Sequence, residues 1–210
     1  MKKVIIAIVA ISTILVSCNS EKKEKVEAKK EVKVADVVKA NNVDVASSIM
    51  TWKGTKPTGA HNGTIGFKES SLIIENGVIT DGEFTIDMSS IKNLDIENAK
   101  KSASLVGHLS GEDFFDVEKY PTSKFVISSV ENTAGKLAVT GNLTIKDVTK
   151  SITIPATLSE EAGVTTFASE TFNIDRADFN VKYGSKKWYG DLGNKFIDDL
   201  VELSFEVKTK

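Results

Sequence analysis

One guanidinium, two imidazoles and one thiol are the rarest chemical groups in the chain: Arg176, His61 and His108, and Cys18. The guanidinium fork suits a carboxylate or a phosphate. Arg176 lies in FNIDRADFNV. There it either clamps an anionic head group at a cavity mouth or forms a structural ion pair with Asp175, Asp178 or a more distant acid. His61 sits in a polar GAHNG segment that reads as a turn, and His108 ends a helical pattern. Two isolated histidines do not make a metal site, which needs more ligands at suitable spacing. No serine sits in an elbow motif and no nucleophile, base and orienter can be assembled. The expectation is therefore a protein with no catalytic residues, no metal and no cofactor.

The other candidate chemistry is apolar. Trp52, Phe67, Phe84, Phe115, Phe125 and Phe179 are spread through the chain. Such rings either fill a core or wall a tunnel for a hydrocarbon tail, which needs apolar surface and little directed polarity. Trp188 and Tyr189 stand in SKKWYGDLGNK. Aromatics beside lysines suit a pocket rim or a membrane surface; a loop that folds its own rings inward is the competing reading.

The elements that must position these groups begin after an export signal. Lys2 and Lys3 precede an apolar run, Val4 to Val16, broken only by Ser12 and Thr13. It is shorter than the roughly 20 residues that span a bilayer. It ends in Leu15-Val16-Ser17-Cys18, the pattern of a lipoprotein signal, residues 1–18. Cys18 would carry acyl chains of the palmitate kind, and more than one chain makes attachment stable. With its single cysteine used there, the folded part has no disulfide and no thiolate site. Residues 19–42 are dominated by Lys, Glu, Val and Ala without an aromatic. They read as a charged, solvated tether.

Residues 43–210 then form one domain. Acidic and basic residues nearly balance, 29 against 27, so nothing draws the surface to nucleic acid. The dominant period is two. Leu137, Val139, Gly141, Leu143 and Ile145 share one face; Ile152, Ile154, Ala156 and Leu158 another; Val201, Leu203, Phe205 and Val207 a third. Asn76-Gly77 and Asp81-Gly82 read as tight turns. Pro155 implies an edge or a bulge. Asp95 to Leu109 reads as the one helix, with Asp95 as N-cap and Ile96, Ala99, Ala103 and Val106 inward. About eight strands, apolar on one face, predict a closed antiparallel barrel or two stacked sheets. Short strands and missing aromatic girdles argue against a membrane-spanning barrel. Eight strands enclose side chains or one small ligand, and periodicity does not choose between them.

HLSGEDFFDVEKYPTSKF, residues 108 to 125, has neither period. Pro121 removes a donor and extends Tyr120, so this is an ordered connection whose aromatics must be buried. The stretch resembles the signature of the YceI-like family. GEFTIDMSSI (82 to 91), GNLTIKDVTK (141 to 150) and FNIDRADFNV (172 to 181) resemble the same family in the same order. The resemblance covers residues 43 to 208. It implies an all-β, lipocalin-like antiparallel barrel with one short helix. It also implies a ligand, a polyisoprenoid or other long-chain lipid, carried or sequestered inside. On that basis Arg176, His61, Trp52, Phe67, Phe84, Phe115, Phe125, Phe179, Trp188 and Tyr189 are the candidate ligand-binding residues. The alternative is a membrane-tethered structural lipoprotein with a filled core. The partners expected are the lipid and a membrane reached through Cys18; a homodimer stays open. The place expected is the cell envelope at the outer membrane, on its periplasmic or surface face.

Overall fold

In the computed structural model, which describes residues 24–33 and 42–209, the alternating segments close into one antiparallel barrel. The elements are β1 (Lys29–Lys30), β2 (Ile49–Lys56), β3 (Gly59–Phe67), β4 (Ser71–Glu75), β5 (Val78–Asn93), α1 (Ala99–Ser110), β6 (Thr122–Thr133), β7 (Lys136–Ile145), β8 (Val148–Glu161), β9 (Val164–Ser169), β10 (Phe172–Asp175), α2 (Lys186–Tyr189) and β11 (Leu200–Lys208). The wall runs β8-β7-β6-β5-β3-β2-β11, and β9 closes it by pairing with both β8 and β11. β10 continues the line of β9 along β11, with one extra residue at the break. There the Ser169 hydroxyl accepts the Phe205 N–H at 3.0 Å. Counted as one broken strand, β9 and β10 bring the barrel to eight. The signal and Cys18 lie outside the described residues.

Period two sets the register. Leu137, Val139, Leu143 and Ile145 of β7 are buried, as are Ile152, Ile154 and Ala156 of β8. Each buried aliphatic contributes about 2 kcal/mol, and a slip of one residue would turn the whole set outward. The face of β11 falls as its alternation predicts, with Phe205 and Val207 buried. β5 departs from strict alternation usefully. Met88 and Ile91 are both buried although three residues apart. β5 carries three extra residues here against β3, and the Ser90 hydroxyl fills the gap, accepting from Gly66 N–H at 2.7 Å.

Three local expectations are corrected. GAHNG is not a turn: it opens β3, and the chain reverses at 57 and 58. Asp81-Gly82 is not a turn either, because β5 runs through it. A Cβ at Gly82 would lie 2.9 Å from Ile127 Cδ1, so the glycine serves packing. The helix is α1, three to four residues shorter at its start, with Asn98 as the cap that accepts from Lys101 N–H. Ala99 and Ala103 are exposed; Leu105 and Leu109 pack on the core instead.

The tether expectation also changes for its described part. β8 pairs with β9 only from Ala156 onward, so its first half has no partner on the side of β10. Residues 24–33 fill that seam. Val26 donates to Asn173 O of β10 at 2.8 Å, and Asn173 Nδ2 donates to Glu24 O at 2.9 Å. β1 pairs with β8, Lys29 opposite Ser151 and Lys30 opposite Lys150. Asn142 then grips Val32 through both its N–H and its carbonyl, at 2.9 and 2.6 Å. Backbone pairing to an open sheet edge requires no apolar side chains, so a charged segment can do it. Deleting residues 24–33 should speed amide exchange across Val148–Pro155 and Phe172–Asp175 by at least about tenfold, the scale of one lost 1.4 kcal/mol. β6 and β7 report as the unchanged reference; uniform exchange across all of these strands would show that the strap seals nothing.

Candidate functional site

The barrel encloses a cavity of about 410 Å³ that reaches the surface at one end, where exposed Lys56, Gly59 and Lys195 line it. Its size falls within the range of small-molecule sites. The opposite end is closed by a cluster of packed aromatic rings. Phe84 lies 5.7 Å from Phe167 and 6.5 Å from Phe67, and Phe167 lies 5.0 Å from Phe205. The walls between are aliphatic, with Ile65, Ile86, Met88, Leu143, Ile154 and Leu203 among them.

Polar groups gather at the mouth. It is built from the β2–β3 turn, the last turn of α1, the signature stretch and the segment from 182 to 198. Thr55 donates to Asp198 at 2.6 Å. His61 Nδ1 lies 2.8 Å from Asp95 Oδ2. Partial burial pushes the Asp95 carboxyl up, but hydrogen bonds from Asn62 N–H, His61 and Asn93 outweigh it and hold the pKa down at about 2. A carboxylate so stabilised is an acceptor that orients the imidazole. His108 does more than cap a helix. Its ring packs edge-on against Tyr183 at 4.6 Å and against Phe114 at 5.7 Å. Lys146 fixes that corner by donating to Phe114 O at 2.8 Å.

The signature stretch is the ordered connection its composition implies. Phe114, Phe115 and Asp116 N–H bond back to Gly111 O, Leu109 O and Gly111 O. This chain of turns seats Phe114 and Phe115 on the cavity, under α1.

Of the candidate residues, Trp52, His61, Phe67, Phe84, Phe115, Phe125 and Arg176 line the cavity. Phe179 does not: it is fully buried in a 3-10 turn, Arg176–Phe179, behind the wall. Trp188 and Tyr189 do not either; they lie exposed on α2. Arg176 is 1 % exposed, and each of its three nitrogens donates to a backbone carbonyl. Nε, Nη1 and Nη2 donate to Asp198 O, Val181 O and Ile197 O at 3.1, 2.8 and 3.0 Å. Asp199 lies 3.4 Å away and the Phe114 ring 5.3 Å away. The head-group clamp expected at the mouth is thus a pin that ties the 176–199 segment to the barrel. Sequence reasoning missed Tyr183, Lys195 and Asp198 at the mouth, which sit in a segment without period. It also left Leu105, His108 and Leu109 out of the site.

Trp52 stands out. It is buried on β2 with its indole across Gly63 of β3. Its Nε1–H has no hydrogen-bond partner. A buried, unpaired donor calls for an explanation, and this one belongs to a side chain that lines the cavity.

Comparisons with known proteins agree with this architecture. The YceI-like domain model matches residues 37–209. A UPF0312 protein of Pseudomonas savastanoi pv. phaseolicola is 37% identical over 115 residues, 49% of this chain and 60% of the relative. The match therefore spans less than two thirds of that relative. Among solved structures, BcnA of Burkholderia cenocepacia superposes with a TM-score of 0.66 at 25% identity, covering 80% of this chain and 99% of that one. A polyisoprenoid binding domain from Saccharophagus degradans superposes with a TM-score of 0.58 at 16% identity, covering 80% and 96%, a likeness of fold. Motif order, barrel closure and the extent of the domain match together place the chain in the YceI-like domain family.

Proposed function

We propose that this protein is an exported lipoprotein, acylated at Cys18, whose barrel carries or sequesters a polyisoprenoid or a similar long-chain amphiphile. The observation that carries the reading is the graded cavity: rings at the floor, walls that are mainly apolar, and charged groups gathered towards the mouth. A tail would lie in the depth and a polar head among Thr55, His61, Lys195 and Asp198. The free Trp52 N–H would meet an oxygen of the guest. The solved barrel described as a polyisoprenoid binding domain supports the same class of ligand. The role is binding, not turnover. The place is the cell envelope, at the outer membrane.

Native mass spectrometry of the purified protein tests this. The wild type should retain an apolar adduct that organic solvent strips away. Leu203 faces the cavity and is only partly buried, so Leu203→Trp has room to fill the lumen. That variant should lose the adduct at least about tenfold while its unfolding midpoint moves little. Equal retention by Leu203→Trp would remove the lumen as the site. A wild type free of adduct, and unable to take up a long-chain prenol added during refolding, would leave the tethered scaffold instead.

A further inference from the structure

We propose that the segment from Lys182 to Lys195, with α2 at its centre, is a docking surface for an anionic lipid bilayer that sets the cavity mouth against the membrane. The inference rests on the carrier reading only for its purpose. Its evidence is the surface itself.

Among the described residues, Val32, Ile49, Val78 and Val164 are exposed singly elsewhere in the chain, but the large exposed aromatic side chains gather in one place. Trp188, Tyr189 and Tyr183 are 50, 57 and 41 % exposed, and all three lie in or beside α2. Leu94, 64 % exposed, stands at the same end of the barrel, its N–H bonded to Asn62 O next to His61. Tyrosine and tryptophan with a polar tip favour the boundary between headgroups and acyl chains. A buried core would have used phenylalanine and leucine.

The charge on this surface selects the partner. The segment carries Lys182, Lys186, Lys187 and Lys195 against Asp191. Lys187 is occupied by Asp175 and Asp178. Lys182, Lys186 and Lys195, with Lys56 on the neighbouring turn, form no ion pair among the described residues. Lys182 instead lies over the Trp188 ring at 3.8 Å, and Lys186 over Phe196 at 3.4 Å. It is the ammonium groups that sit on these rings, so cation and aromatic share one level of the surface, where lipid phosphates would meet them. A protein partner with an apolar face would not need these cations; an anionic bilayer would.

Geometry supplies the second argument. Tyr183 and Lys195 belong to this segment and also line the cavity, as does Ile197 two residues beyond it. A membrane that accepts Trp188 and Tyr189 would therefore face the opening. A hydrocarbon could pass between bilayer and lumen without crossing water.

The test uses the chain from Asn19 onward, which holds every described element, so that no acyl anchor contributes. It is mixed with vesicles of phosphatidylcholine containing three parts in ten of phosphatidylglycerol, and separately with pure phosphatidylcholine. Binding by co-sedimentation should favour the anionic vesicles at least about tenfold and weaken with added salt. Tryptophan emission should shift to the blue on binding, and the shift should vanish in Trp188→Phe. K182E/K186E, at two positions that do not line the cavity, should lose at least about tenfold in vesicle affinity. No binding to anionic vesicles overturns the proposal, as does equal binding to both compositions or by K182E/K186E. The carrier reading is scored separately by the retained adduct. An adduct without vesicle binding sinks only the docking surface, and vesicle binding without an adduct sinks only the carrier.

Discussion

Arg176→Ala is expected to lower the free energy of unfolding by about 3–5 kcal/mol, the cost of breaking a buried charge pair by removing one partner. Three carbonyls, those of Val181, Ile197 and Asp198, lose their donor at once. Asp199 loses its cation while its Oδ1 is already buried without a hydrogen bond. Burial works against the charge on Arg176 and nearby Asp199, Asp175 and Asp198 offset it, so the arrangement is poised and removing one side upsets it. A domain of this size has about 5–15 kcal/mol in total, so the loss should be visible as a large fall in urea midpoint. Arg176→Lys keeps the charge but not the three-way fork and should fall between. The competing idea is that Arg176 holds the ligand's head group. It makes the opposite forecast: an unchanged midpoint and a weaker grip on cargo. Urea titration beside native mass spectrometry of the same two variants decides between them.

Much of the barrel is legible because its walls are local in code. In β7, β8 and the end of β11 each residue's face follows from its neighbours two positions away, so alternation predicts burial from Leu137 to Ile145 and at Phe205 and Val207, while Val201 and Leu203 are only half-buried. The features that escape are those decided by a distant partner. Gly82 looks like a turn residue until Ile127 is placed over it. Asp95 looks like a helix cap, but His61 and Asn62 take its carboxylate and the cap passes to Asn98. Residues 24–33 look solvated by composition, and only the unpartnered half of β8 explains why they dock. The candidate site divides in the same way. Trp52, Phe67, Phe84 and Phe125 line the lumen because strand alternation puts them there. Arg176 is reassigned because its acceptors are carbonyls from 181, 197 and 198, which no side-chain pattern reveals. Phe179 is lost to the site because a 3-10 turn, not a strand, carries it.

Gly63→Ala is the second change expected to be severe, and Gly54→Ala is its control. The two glycines lie on adjacent strands, β2 and β3, within one hairpin. Neither has a positive φ, so conformational freedom does not separate them. Space does. A Cβ at 63 would overlap the Lys92 carbonyl oxygen of β5 and lie 2.8 Å from Trp52 Cε2, whereas a Cβ at 54 meets nothing within 4 Å. Backbone oxygen in a paired strand cannot step aside, so β3 must part from β5 or Trp52 must leave its seat. Either outcome should cost about 3 kcal/mol or more, the upper range of overpacking. Gly54→Ala should lie within about 0.5 kcal/mol of wild type, as for a surface change that touches nothing. The readouts are the thermal midpoint and the emission of Trp52, which should move to the red in Gly63→Ala as the indole becomes wet. If both alanine variants melt together, the close seat of Trp52 on β3 is wrong. The buried indole N–H then loses its place in the lumen, and with it the one directed polar contact assigned to the depth of the cavity.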